Sequence, residues 1–480
     1  MIAALGVSFL ISAVAGIALL SLFWPSAIPA RPWPLLVALG CGIGAGLSAV
    51  LLFLWMLAFG PTPGFPLAEA GLAILAAVAA LIRRRPAATR AAVWKGPRGV
   101  GLPVLLGVAF LIALVAAATA FCSMVRQHPH GEWDAWMNWD LRARMFFRGA
   151  ESWQAAFSPT FPWSHPDYPI LLPSLVARTW LYARAETLLG PALVAATFTF
   201  GTVALLATGL NVLRSTTQGL LAALVLLSTP FFIIHGTSFY ADVPLGFFFL
   251  ATMLCLALDA RHGMATARFG ILAGVAAGLA MWTKNEGTLF TLAIGAGLIL
   301  GGVGDERQGP WRRLLAFGTG LLPMLLLLVA FKVAFAPAND LLSTLGVERT
   351  LGRLTAPDRY LIVLRQYTNH IMGFGQNSFG SAVWLLLAYL LGVGLNPREI
   401  RSTGVRAGIV ALLLLLAGHF MVFVSMADEL SRLLDSSLDR LLLQLWPSAL
   451  LLYFVAVRAP EEVLPATVEE ASAVGTPSWR

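Results

Sequence analysis

Apolar runs of about 20 residues follow one another along almost the whole chain, and they leave few folds open to it. As a helix, such a run matches the hydrocarbon thickness of a bilayer. Within lipid every backbone N–H and C=O must be satisfied inside the segment or inside a closed barrel. No alternating strand pattern is present, so the expected class is all-α, a polytopic bundle of transmembrane helices. About thirteen candidate spans centre near Ala13, Ala45, Leu75, Ala113, Thr199, Leu226, Leu250, Gly274, Ile294, Leu325, Leu387, Leu414 and Leu450. Trp282-Thr283-Lys284-Asn285-Glu286 separates the Gly274 and Ile294 candidates closely, so the expected number is about 11–13.

Composition supports the same class. Only 12% of the 480 residues are charged, 58% are hydrophobic, and mean hydropathy is +0.79. A soluble domain carries about 25% charged residues, so this chain has too little charge to cover a globular surface. The net charge of +8 does not point to nucleic acid, because the basic residues sit in short clusters between apolar runs. There they set topology and meet anionic lipid headgroups. Cys41, Cys122 and Cys255 fall in or beside apolar runs at no ligand spacing, which implies neither a disulfide framework nor a zinc site. The first apolar run lacks a basic leading segment and reads as the first span rather than a cleavable signal.

Basic clusters orient the bundle. Arg83-Arg84-Arg85, with Arg90, Lys95 and Arg98, is the strongest cytoplasmic mark. Alternation from there places Arg214, Arg261, Arg268, Arg312, Arg313, Arg398, Arg401 and Arg406 on the same side. It sends five segments to the other side: 126–184, 235–242, 282–286, 337–380 and 425–440. The organisation expected is therefore N-terminal transmembrane hairpins over 1–100, a transmembrane catalytic domain over 101–458, and a disordered cytoplasmic tail over 459–480.

The first large outside segment, 126–184, is the richest in chemistry. From Gly131 to Gly149 it contains no internal Pro or Gly, which predicts a helix lying in the interface. At about 100° per residue, Asp134, Asn138 and Arg142 share one stripe, and Trp133, Trp136, Asp140 and Arg144 share another. A carboxylate, an amide and a guanidinium on one stripe suit proton acceptance, orientation of a hydroxyl and retention of an anion. Against this stand ordinary structural roles: interfacial Trp, an Asp140–Arg144 helix pair and a locally bonded Asp134. His128, His130 and Asp134 lack a companion ligand set, so no metal is expected. Farther along, Trp153, Phe157, Phe161 and Trp163 suit sugar rings, isoprenoid tails or a headgroup belt. Pro166 and Pro169 fix the approach to the next span and hold His165 and Asp167 in place. In segment 337–380, Arg349, Arg353, Asp358, Arg359, Tyr360, Arg365 and Tyr367 read either as an anionic-acceptor surface or as a solvated lid.

Taken together, several motifs carry a family resemblance. Trp133-Asp134-Ala135-Trp136 follows a span, and His165-Pro166-Asp167-Tyr168-Pro169 opens the next apolar run. Later come Tyr240-Ala241-Asp242-Val243-Pro244-Leu245, Trp282-Thr283-Lys284-Asn285-Glu286-Gly287 and Ser437-Leu438-Asp439-Arg440 through Trp446-Pro447. In that order they resemble the GT-C superfamily of membrane glycosyltransferases, nearest the bacterial branch related to protein O-mannosyltransferases and lipid A aminoarabinose transferases. The resemblance runs from about Arg98 onward. Two features depart from the family pattern. Three apparent spans precede its usual start, and no second acid follows Asp134 directly, which leaves Asp140, Asp167 and Asp242 as alternatives.

The resemblance implies transfer of a sugar from a polyprenyl-phosphate carrier to a glycan, lipid or protein acceptor, with inversion, outside a bacterial inner membrane. Asp134 would be the general base, with Asp167 and Asp242 as further acids. Lys284, Arg440 and Arg142 would meet the donor phosphate, and His165 would orient Asp134 or touch that phosphate. Trp133, Trp136, Asn138, Tyr168, Tyr240 and Glu286 would line the substrate site, with no cofactor or metal. The competing classes are a transporter or lipid-linked-saccharide flippase and a catalytically silent scaffold. Transporters place polar, broken helices at the midplane, often in repeated halves, whereas here the ionisable residues gather at span ends without a repeat.

Overall fold

A computed structural model describes residues 1–25, 32–83, 101–160, 162–262, 267–302, 309–338, 347–375, 381–425 and 430–463. The basic run 84–98, Phe161, the side chain of Arg349 and the tail beyond 463 lie outside the described residues. The chain is an all-α, multi-pass membrane bundle. Its helices are α1 (Ile2–Phe23), α2 (Trp33–Phe59), α3 (Phe65–Ile82), α4 (Leu102–Gln127), α5 (Asp140–Arg148), α6 (Leu171–Ala183) and α7 (Leu189–Leu213). They continue with α8 (Thr216–Leu227), α9 (Pro230–Thr237), α10 (Asp242–His262), α11 (Arg268–Thr283), α12 (Glu286–Gly301) and α13 (Pro310–Ala334). Last come α14 (Val347–Leu354), α15 (Pro357–Gly373), α16 (Ala382–Val393), α17 (Thr403–Ser425) and α18 (Leu430–Ala456).

Every expected span centre lies on a helix, but the helices are unequal. Among the described residues nine are long and apolar enough to cross a bilayer: α1–α4, α7, α10, α13, α17 and α18. A tenth span is made by α8 and α9 together, bent by 66°. Pro230 opens α9 without a backbone N–H to continue the α8 ladder, which explains the break. Among the described residues nine or ten spans meet that length, against the 11–13 expected, and α11, α12 and α16 are shorter apolar helices. At 16 residues each, α11 and α12 reach only about 24 Å. The turn joining them, Lys284-Asn285, meets Asp242 at the start of α10 and Lys332 near the end of α13.

The central helix is α10, with 94% of its apolar window buried. It packs on α7, α11, α17 and α18. By contrast, α3 and α4 are mostly exposed along their apolar lengths, as lipid-facing helices are. Gly297 fixes the close approach of α12 to α17: a Cβ there would stand 2.4 Å from the Ala407 carbonyl oxygen. One end of the bundle gathers Arg214 against Glu399 (3.3 Å) and Glu462 (3.0 Å), and Arg261 near Glu399 (3.8 Å). The opposite end of α10 begins at Asp242, so the predicted alternation of sides holds along this helix.

A buried ion pair ties the N-terminal helices to the rest. Arg178 of α6 donates from Nε to both Glu69 oxygens at 2.9 Å and from Nη2 to the Ser8 carbonyl at 2.5 Å. Tyr182 adds a bond to Glu69 Oε2 at 2.8 Å. Removing one partner of such a pair leaves an uncompensated charge, whereas replacing both by apolar groups costs far less. Glu69→Gln is expected to destabilise the protein by about 3–5 kcal/mol, and Glu69→Leu with Arg178→Met by much less. Thermal unfolding in detergent reads the difference, and equal losses would contradict it.

Candidate functional site

Four of the five segments expected on one side meet in a single polar cluster at the Asp242 end of α10. Asp242 begins that helix, where a carboxylate is favoured by the helix dipole, and it is fully buried. Its Oδ2 accepts from Arg440 Nε (3.1 Å) and Nη2 (2.9 Å), and its Oδ1 from Lys284 Nζ (3.2 Å) and Gln444 Nε2 (2.6 Å). Lys284 reaches onward to Glu286 at 2.7 Å. Arg440 reaches onward to Asp134 Oδ2 at 2.7 Å, and its guanidinium lies 4.5 Å over the Tyr240 ring. With both oxygens committed, Asp242 serves as an anchor for two cations. Asp134 is different: it is partly exposed, and its Oδ1 has no hydrogen-bond partner among the described residues.

The fifth segment joins through α15, where His370 Nδ1 stands 2.7 Å from Asp439 Oδ1, beside Arg440 in sequence. Two of its arginines bond backbone carbonyls. Arg359 donates to the Val424 carbonyl at 2.8 Å and Arg353 to that of Ser425 at 3.3 Å, satisfying the last carbonyls of α17. Tyr367 is buried in a small apolar core with Val363, Leu434 and Leu438. Both of these guanidinium groups are thus engaged with the end of α17.

Residues 133–148 are helical as predicted, with a π-turn over Ala135–Trp139 closed by the Asp140 N–H on the Ala135 carbonyl. The wider turn falls inside the predicted stripe. Asp134 faces Arg440, while Asn138 is buried. Arg142 is fully buried and donates to the carbonyls of Tyr168 (2.8 Å) and Pro169 (3.5 Å). Burial pulls Arg142 down to about 9, so it stays charged at neutral pH. Its role here is to hold the 165–169 turn. Arg144 pairs with Glu186 at 3.6 Å rather than forming the expected bond to Asp140.

That turn delivers further groups. His165 takes a positive φ of 44°, its carbonyl accepts from Tyr168 N, and its ring stacks on Tyr168 at 4.9 Å. Asp167 is buried and accepts from Asn285 Nδ2 at 2.8 Å, while Lys332 donates to the Asp167 carbonyl (2.5 Å) and to Asn285 Oδ1 (2.9 Å). Burial and the neighbouring Glu286 hold the Tyr168 phenol above its ordinary value, so it remains a hydroxyl donor. Trp133 and Trp136 are exposed beside Asp134, edge to face at 4.8 Å. Trp153 and Phe157 are not surface platforms: they are buried against Phe53, Phe331 and Phe335.

Gly131 joins the first two segments. Its φ is +70°, and a Cβ would lie 2.6 Å from the Ser238 carbonyl oxygen, which accepts from Glu132 N at 3.1 Å. Sequence reasoning did not assign roles to Lys332, Gln444 and His419. The signal for each was a polar side chain inside or at the outside end of an apolar run, against the positive-inside rule in the case of Lys332. Among the described residues no three His, Cys, Asp or Glu side chains group to hold a metal ion. No family model matches this chain, and no curated protein or solved structure is significantly similar to it.

Asp140, one turn from the cluster, is buried, and burial outweighs Arg144 to push its carboxyl up to about 7. A carboxyl whose pKa rises on folding costs stability as pH climbs from the unfolded value through the folded one, here from about 4 to about 7. Asp140→Asn is therefore expected to melt above wild type at pH 8, by about 2–4 °C for each kcal/mol recovered. The advantage should vanish as pH falls toward 4. Melting curves that stay parallel across that range would contradict it.

Proposed function

We propose that this protein is a membrane glycosyltransferase that moves a sugar from a polyprenyl-phosphate carrier to an acceptor hydroxyl, at the non-cytoplasmic face of a bacterial inner membrane. The observation that carries this reading is the Asp134 carboxylate. One of its oxygens is fixed by Arg440, the other is open, and the same Arg440 is linked through Asp242 to Lys284. Base and cations are thus a few ångströms apart, at one end of the bundle, as transfer from a lipid phosphate requires.

In the proposed step Asp134 Oδ1 takes the proton of the acceptor hydroxyl as its oxygen attacks the anomeric carbon. The bond from that carbon to the phosphate oxygen breaks, and the electron pair leaves with the phosphate. Charge grows on that oxygen, so fixed cations at Arg440 and Lys284 favour the transition state. Asp242 keeps both cations in place without reorganisation. The phenol of Tyr168 faces Lys284 and Glu286 and is a hydroxyl donor for the sugar or the phosphate. Trp133 and Trp136 offer an exposed aromatic edge beside the base for the acceptor or the lipid. The acceptor can be glycan, lipid or protein, and no cofactor or metal enters the scheme.

A transport reading draws on the bent α8–α9 pair and the short α11 and α12, since interrupted helices line substrate paths in transporters. Reconstituted protein, given radiolabelled polyprenyl-phosphate sugars and membrane acceptors, separates the two. Asp134→Asn should lose at least about 100-fold in transfer while still binding donor. Arg440→Lys, which cannot bridge two carboxylates as a planar fork does, should lose about 10²–10³-fold. Wild type that moves labelled lipid across vesicles but transfers no sugar would favour transport.

A further inference from the structure

One buried titratable group is not used by the proposed step. His419 sits on α17, six residues before the helix ends at Ser425, and is 5% exposed. An imidazole inside a 23-residue apolar helix is costly to bury without a partner. The register that brings it to the site comes from α12. Leu289 packs on Gly418, and the Gly297–Ala407 approach fixes the two helices farther down. Glu286, in the first turn of α12, therefore stands at the level of His419. The charges of Glu286 and Lys284 act on His419.

Hydrogen bonding in this recess is incomplete in a particular way. Glu286 Oε1 is taken by Lys284, but Glu286 Oε2 is buried without a hydrogen-bond partner among the described residues. The same is true of His419 Nε2 and of Gln444 Oε1, whose amide nitrogen is committed to Asp242. Buried polar atoms left without partners call for a cause, since each forfeits the hydrogen bond it would make in water. A carboxylate oxygen can only accept, while an imidazole nitrogen can donate or accept according to tautomer. A hydroxyl can satisfy either kind of atom, by donating to Glu286 Oε2 or by accepting from His419 Nε2–H.

Resting on the glycosyl-transfer reading, we propose that Glu286 and His419 form a pocket for one hydroxyl of the donor sugar. Lys284 lies between this pocket and Asp242, so the sugar would be held beside the cation that meets its phosphate. Glu286 is a ligand as well as a partner of Lys284. His419 becomes a specificity residue, deeper than any of the motifs along the outside segments.

The test uses full-length protein in nanodiscs and short-chain prenyl phosphates carrying glucose, mannose or galactose, each with its set of monodeoxy analogues. Bare prenyl phosphate serves as the reference, and calorimetry reads the affinities. Wild type should bind one deoxy analogue about tenfold more weakly than its parent. His419→Ala should bind that pair equally, and His419→Gln, which keeps a hydrogen-bonding head, should restore part of the difference. His419→Ala weakening every compound alike, or leaving the discrimination intact, overturns the pocket while the transfer reading stands. In that case the recess holds water or serves packing only. If none of the sugar phosphates binds better than bare prenyl phosphate, the transfer reading fails and the pocket fails with it.

Discussion

The arrangement at the site depends on one buried carboxylate. Asp242 stands at the N-terminus of the central helix with no exposure to water, and such a charge persists only where partners replace its hydration. Arg440, Lys284 and Gln444 supply them from two other parts of the chain. The cost of burying the anion is offset only when all three arrive together. The pairing of α10 with α18, and of both with the α11–α12 turn, is thereby specified by polar contacts where apolar packing alone would tolerate slippage. Asp134 is then positioned by what remains of the Arg440 fork.

Helix length adds the second constraint. In an all-helical bundle the depth of a turn is set by how many residues its helices contain. Sixteen residues on each side set the level of Lys284 and Glu286. An ammonium that would snorkel to water on a longer helix is here held inside, against acids. Shortness in α11 and α12, which weakens them as spans, is what makes their shared turn part of the site.

Much of this was legible in the sequence, and the exceptions have physical causes. The thirteen apolar centres all lie on helices, because the 20-residue requirement leaves little freedom. Asp134, Asp242, Lys284, Glu286 and Arg440 were identified as unusual polar residues at span ends, and the structure brings them together. The burial of Asn138 and Arg142, and the bonds of Arg142 to the 165–169 turn, were not legible, because no residue pattern announces the π-turn in their helix. Trp153 and Phe157 were read as surface aromatics, since a sequence does not tell which face of a short helix meets α2 and α13. Lys332 and His419 lie at the ends of long apolar stretches, so only the folded register reveals which neighbours they meet.

The seam at Gly131 bears on how the site moves. The segment carrying Asp134 and the turn leading to Asp242 are joined backbone to backbone, with no side chain between them to act as a cushion. Two acids that differ in exposure and in role are therefore carried on one rigid piece. A shift of the Asp134 segment is therefore passed directly to the turn that feeds the central helix.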